Sequence, residues 1–339
     1  MGISFSLLSV TVLILIVYSG VKLANLHLLF GVLIPYMALI TFIIGIIYRV
    51  VKWGLSPVPF CIPTTCGQQE SLPWIKQDKL ENPSNTLGVI GRMALEVLFF
   101  RSLFRNLKFE VGAANPAEMK NESRVIYSSD KWLWLSGLVF HWSFLIILLR
   151  HLRFFTEQVP SLMRLLEGLD SWFQIGLPHF YATDLIILLS VTYLFIRRVI
   201  IPQVRYISLA ADYFPLLLIL GIAVTGILMR YFSRVDIVDV KILTIGLVSF
   251  RPVIPEGLGI IFYIHLFLVC TLFIYFPFSK LVHMAGVFMS PTRNLANNSR
   301  MQRYVNPWNY DVKVHKYSEY EEEFRGKMKK AGLPVEKGL

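Results

Sequence analysis

The chain has 339 residues, a mean hydropathy of +0.57, 55% hydrophobic residues and only 16% charged ones. That balance excludes an ordinary soluble domain and makes the lipid bilayer the expected solvent. The formal net charge of +11 does not indicate a nucleic-acid surface, because the basic residues sit in loops flanking apolar stretches rather than on one polar face.

A helix needs about 20 apolar residues to cross roughly 30 Å of hydrocarbon. Six stretches qualify: 3–23, 26–48, 132–152, 181–199, 213–230 and 258–281. The expected fold is all-α and polytopic, with six transmembrane helices. The first opens MGISFSLLSV, with neither a basic leader nor a small-residue cleavage site, and reads as an uncleaved span. A short turn around Asn25 leads to the second, at whose start His27 reads as an interfacial residue without a cofactor role.

The stretch 49–131 is the main polar insertion. Between Ser56 and Trp74 it holds four prolines with Cys61 and Cys66, and is expected to be extended and irregular. A metal site on these two cysteines needs two further ligands, and none lies nearby, so docking or a structural role is the expectation. Next comes NTLGVIGRMALEVLFFRSLFRNLKF, with Arg92, Glu96, Arg101 and Arg105 at near-helical spacing. An arginine at the bilayer centre costs roughly 2.5–3.5 kcal/mol, so an interfacial amphipathic helix is expected. A seventh span there would invert everything downstream.

If the N-terminus is cytoplasmic, segments 49–131, 197–212 and 280–339 lie inside and hold 25 of the 33 Lys and Arg residues. The positive-inside tendency then places both termini in the cytoplasm, with Arg197, Arg198 and Arg205 as the best short-loop witness. The connection 153–180 carries Glu157, Arg164, Glu167 and Asp170 among apolar residues and is expected to form a short amphipathic helix on the outer side. Arg230, Arg234 and Asp236, at the outer end of the fifth span, read as contacts for headgroups or a partner. The chain therefore divides into two N-terminal spans (1–48), the insertion (49–131), a four-helix region (132–282) and a polar tail (283–339).

Four histidines in apolar, membrane-length sequence demand ligands or partners. Ten residues place His151 about 15 Å beyond His141 and turned by about 80°. Eighteen residues are five whole turns, placing His265 and His283 on one face about 27 Å apart on an unbroken helix. The third and sixth spans are antiparallel, so His141 lies toward the side of His283, and His151 toward that of His265. Each cross-helix pair has the ligand set for a haem iron between two imidazoles, and the absence of any CxxCH motif makes such haems non-covalent, of b type. The mismatch of about 15 Å against about 27 Å has to be absorbed by tilt and by a bend at Pro277. Two alternatives stay open: polar-packing histidines without a cofactor, and a proton-coupled transporter using intramembrane His and Asp. Against the transporter, neither an inverted repeat nor a pair of broken helices is visible.

The spacings of 10 and 18 residues on the outer members of a four-helix set resemble the di-haem gamma subunit of respiratory nitrate reductases. IPTTCGQQESLPWIK (62–76), IPQVRYISLAADYFP (201–215) and FPFSKLVHMAGVFMSPTRNLANNSR (276–300) are similar to the DsrM family, the membrane cytochromes b of the complex linked to dissimilatory sulfite reduction. That resemblance implies one haem b at His141 and His283 nearer the cytoplasm and one at His151 and His265 nearer the outside. It also implies menaquinone as substrate, and a cytoplasmic iron–sulfur partner like DsrK, related to heterodisulfide reductase, within an assembly containing DsrJ-, DsrO- and DsrP-like subunits. Such a chain is an electron-transfer subunit rather than a complete enzyme. For the quinone, Arg150, Arg153, His179 and Asp184 provide polar groups beside His151. Arginines there could equally snorkel or pair with haem propionates, and Asp184 could serve only as a helix N-terminal charge.

Overall fold

The computed structural model describes residues 2–56, 67–112, 124–173, 179–301 and 314–336. Cys61, Cys66 and the start of the 62–76 motif lie outside them. The described elements in chain order are α1 (Gly2–Lys22), α2 (Ile34–Gly54), α3 (Thr86–Phe99), α4 (Arg101–Arg105), β1 (Leu107–Gly112), β2 (Arg124–Ser129), α5 (Lys131–His151), α6 (Ser161–Asp170), β3 (Ser171–Phe173), β4 (Phe180–Tyr181), α7 (Ala182–Ile200), α8 (Pro202–Ile207), α9 (Ala210–Ile227), α10 (Ile237–Val248), α11 (Ile260–Tyr275), α12 (His283–Gly286), α13 (Pro291–Asn294) and α14 (Tyr317–Lys330). The strands form two isolated antiparallel pairs, β1 with β2 and β3 with β4.

Among the described residues, five helical stretches are long and apolar enough to cross a membrane: Gly2–Lys22, Leu29–Gly54, Lys131–Phe155, Ala210–Phe232 and Ile260–Phe278. The expected stretch 181–199 is the helix α7, but Asp184, Arg197 and Arg198 make it more polar than these five. It nevertheless packs along α5 and α9 within the same bundle. Leu29–Leu33 and Leu228–Phe232 are π-helical turns that extend α2 and α9, lengthening both toward the same end as His151.

Two apolar clusters hold the helices together. Val10, Ile187, Val191, Leu217, Leu218 and Leu268 join α1, α7, α9 and α11. Val17, Val21, Phe30, Leu243, Phe262 and Tyr263 join α1 to the start of the second span, α10 and α11. Most other large apolar side chains, such as Leu8, Ile44 and Leu189, point outward, the inverse of a soluble protein and the arrangement a lipid solvent favours.

The last span departs from the expected continuous helix over 258–281. α11 ends at Tyr275, a 3-10 turn covers Phe276–Phe278, and Ser279 is extended with φ −115° and ψ −179° before a second 3-10 turn reaches Val282. Pro277 cannot donate to the helical ladder and favours an ending here. Its buried ring lies so close to Gly45 that a Cβ there would come within 2.6 Å, so only glycine lets α2 accept the bend. Arg49 Nε donates to the Pro277 carbonyl at 2.9 Å, satisfying an acceptor that the broken helix leaves exposed. The five-turn arithmetic between His265 and His283 therefore does not apply, and the separation of about 27 Å it required is no longer a constraint.

Candidate functional site

His141 and His151 lie on α5, His265 on α11, and His283 opens α12. The ring centres of His141 and His283 are 6.0 Å apart with planes at 81°. Those of His151 and His265 are 6.3 Å apart with planes at 14°. α5 is held to the bundle by α7, whereas α11 packs on α1, α2 and α9, so the two pairs form where these halves face one another. His141, His151 and His283 are exposed in the chain alone.

Each imidazole is fixed through the same nitrogen. His141 Nδ1 lies 2.7 Å from the Gly137 carbonyl, His151 Nδ1 2.7 Å from that of Ile147, and His283 Nδ1 2.8 Å from that of Lys280. A carbonyl can only accept, so Nδ1 carries the proton in all three and Nε2 keeps its lone pair. His265 Nδ1 is 2.9 Å from Thr225 Oγ1, while that hydroxyl lies 2.8 Å from the Gly221 carbonyl and 3.0 Å from that of Ile222. The hydroxyl has one proton to give and gives it to the backbone, so here too Nδ1 donates. Among the described residues no Nε2 of the four has a hydrogen-bond partner.

This is the arrangement that metal-bound histidines require: one nitrogen held by an acceptor that sets tautomer and ring direction, the other free to ligate. A metal–imidazole bond is about 2 Å, and with each ring centre about 1 Å behind its nitrogen, two imidazoles on one axis stand roughly 6 Å apart. The observed separations fit that value. Among the described residues no group of three or more His, Cys, Asp and Glu could hold a metal ion.

Beside His151, polar groups form a tight network. Buried Arg150 places Nη1 at 2.5 Å from Asp170 Oδ2, 2.9 Å from Thr183 Oγ1 and 3.6 Å from Asp184 Oδ1. Asp170 Oδ1 also accepts from the Thr183 backbone N–H at 2.9 Å, capping α7 from the end of α6. The Arg150 and Arg230 guanidinium carbons lie 3.5 Å and 3.8 Å from the centre of the Tyr181 ring. Two guanidinium groups so close to one ring occupy its opposite faces. Tyr231 accepts from the Tyr181 backbone N–H at 3.1 Å and donates to Asp184 Oδ2 at 2.9 Å. Arg153 pairs with Glu167 at 2.6 Å, and His179 Nδ1 is 3.3 Å from Ser171 Oγ. Of the four residues singled out for a quinone, then, both arginines are committed to carboxylates of the α6 cap, and Asp184 is oriented by a tyrosine.

Near His141 and His283 the polar segment 67–106 closes over the bundle. Asn85 caps α3, accepting from the Gly88 N–H at 2.8 Å. Glu96 accepts from the Ser102 hydroxyl at 2.6 Å and backbone N–H at 2.9 Å, and pairs with Arg293. Burial pushes the Glu96 carboxyl up, but the Ser102 hydrogen bonds and Arg293 outweigh it and hold the group below the usual carboxylate range. Burial beside Arg293 lowers Arg92, whose Nη2 donates to the Thr292 carbonyl at 3.2 Å. His27 rests edge-on against Tyr263.

Thr225, Asp170, Tyr181 and Tyr231 carry no signal in sequence. A threonine forty positions from the histidine it orients, or an aspartate in an amphipathic cap, has no recognisable spacing.

An all-α, multi-pass membrane protein with facing histidine pairs is the class that this architecture defines. The nitrate reductase gamma subunit family matches residues 97–304, which contain all four paired histidines. A Hdr-like menaquinol oxidoreductase cytochrome b-like subunit of Archaeoglobus fulgidus is 41% identical over 287 residues, covering 83% of each chain. One of Archaeoglobus profundus is 39% identical over 284 residues, covering 81% of each. The chain belongs to the nitrate reductase gamma subunit family.

Proposed function

We propose that this chain is a di-haem b electron-transfer subunit that exchanges electrons between menaquinol or menaquinone and a cytoplasmic iron–sulfur protein. The observation that carries the reading is the set of four Nδ1 anchors, which leaves the four Nε2 lone pairs free on two imidazole pairs whose ring centres stand 6.0 and 6.3 Å apart, the separation of two imidazoles sharing one metal. His141 and His283 would hold one haem, and His151 and His265 the other. Held by two imidazoles, such a group would supply one-electron transfer rather than oxygen chemistry. The printed names of the two archaeal relatives, cytochrome b-like subunits of menaquinol oxidoreductases, support the quinone side.

The quinol site lies beside His151, among Arg150, Arg153, His179 and Asp184. Oxidising a quinol releases two electrons and two protons, so a proton acceptor is needed next to the outer pair. Asp184, hydrogen-bonded to Tyr231, is the carboxylate in position for it. Arg150 and Arg153 act through their ion pairs, which tie the α6 cap to α5 beside His151.

In this reading α7 completes six spans, both termini are cytoplasmic, and the chain is of the DsrM type. Its partner is a DsrK-like, heterodisulfide reductase-related subunit in sulfur-compound respiration, in an assembly with DsrJ-, DsrO- and DsrP-like proteins. The polar side chains of 67–106, 290–301 and 314–336 then form the surface facing that partner. Replacing His179 by Ala and Asp184 by Asn is expected to slow menaquinol oxidation and weaken inhibitor binding. Unchanged rates and inhibitor affinity in both variants would overturn the quinol placement.

A further inference from the structure

We infer that Phe100 is a positioning residue for the inner histidine pair, and that α3 acts through it as a clasp tying together the two segments that carry His141 and His283. This rests on the di-haem reading above. Phe100 sits at the joint of α3 and α4 with φ 52° and ψ 47°, the left-handed region that a bulky L residue adopts only when its surroundings enforce it. Its ring stands edge-on to His141 with centres 4.9 Å apart and planes at 86°. Phe140 covers the same imidazole at 4.9 Å and 80°. Two phenyl rings thus stand edge-on to His141, one of them supplied by the α3–α4 joint.

The surroundings that enforce the joint are specific. On the α5 side, Trp134 Nε1 donates to the Phe99 carbonyl at 2.8 Å and Trp142 Nε1 to the Leu98 carbonyl at 3.0 Å. Lys131 Nζ donates to the Phe104 carbonyl at 2.7 Å and lies 3.3 Å from the centre of the Phe104 ring. These bonds hold the carbonyls on either side of Phe100 to the helix that bears His141. On the other side, Arg293 pairs with Glu96 and Arg92 donates to the Thr292 carbonyl, tying α3 to the segment that follows His283. One short helix therefore grips both ligand-bearing segments, and the strained residue at its end meets the imidazole itself. The phenyl ring that stands edge-on to His151 belongs to Phe154, with centres 5.7 Å apart, so a change at Phe100 has a built-in control in the outer pair.

The test uses the full-length protein in membranes, with Phe100→Gly, Phe100→Ala and Phe100→Tyr compared by low-spin ferric EPR and by redox titration. The inner signal is assigned as the one lost in His283→Ala. Phe100→Gly relieves the backbone conformation and removes the ring, so it folds even if Phe100→Ala does not. The expected result is a shift or broadening of the inner signal and a shifted inner midpoint potential in the Gly variant, an unchanged outer haem, and recovery in the Tyr variant. Wild-type behaviour of both haems in Phe100→Gly would overturn the assignment, and so would equal disturbance of both. A wild-type chain with no haem would instead overturn the di-haem reading and this inference with it, an outcome distinct from two haems that ignore Phe100.

Discussion

Thr225 Oγ1 stands 2.9 Å from His265 Nδ1, and because its own proton goes to the backbone of α9, the threonine acts toward the imidazole only as an acceptor. That hydroxyl fixes His265 as the Nδ1-protonated tautomer and leaves its Nε2 free. Thr225→Val keeps the shape and removes the acceptor. Changes in such supporting partners cost about 10–100-fold in metal affinity, so the variant is expected to lose the outer haem on mild detergent washing, while Thr225→Ser retains it. Equal haem retention in Val and Ser variants would show that the contact has no role.

Pairing predicts which losses go together. His141→Ala and His283→Ala are each expected to remove one and the same haem, and His151→Ala and His265→Ala the other, as read in low-temperature difference spectra. Loss of a common haem after changing His141 and His265 would contradict the pairing.

The Arg150–Asp170 pair is buried on both sides, with side chains 9% and 5% exposed. Removing one partner of a buried ion pair leaves an uncompensated charge and costs about 3–5 kcal/mol. Asp170→Ala, which also removes the cap of α7, is expected to lower the thermal unfolding midpoint in detergent clearly. Arg150→Met with Asp170→Leu, replacing both charges, is expected to recover much of the loss. If Asp170→Ala unfolds with wild-type stability, the network does not hold the outer cap.

The clasp on α3 has a pH dependence of known sign. Glu96 has a depressed folded value, so its contribution is fully present above the ordinary carboxylate pKa and is lost as pH falls through the folded one. Protection of the α3 amides, measured against the intrinsic exchange rate at each pH, is expected to fall in that acid range, and Glu96→Gln is expected to show low protection at neutral pH with no such acid step. Identical profiles for the two proteins would remove Glu96 from the clasp.

Much of the fold could be read directly. Apolar length alone located five of the six expected spans, because lipid rewards that length and nothing else at such low charge. α7 reads as a span by apolarity, yet its three charges sit at its ends, where partners such as Asp130 for Arg197 are set by tertiary packing. The helix break at Ser279 was only half legible: Pro277 marks a disturbance, but how far the chain extends before turning again depends on α2 and on Gly45. At the site, the parity of the spans puts His141 on the side of His283, whereas the Nδ1 acceptors depend on local helical geometry and on a remote threonine. The left-handed joint at Phe100 is illegible, since neither glycine nor asparagine marks it.

Haem extraction with a reduced-minus-oxidised spectrum on the purified full-length chain tests the central claim most directly. The account predicts two b-type haems per chain, both low-spin. A chain without haem, or with a single haem that survives replacement of any one of the four histidines, would contradict it.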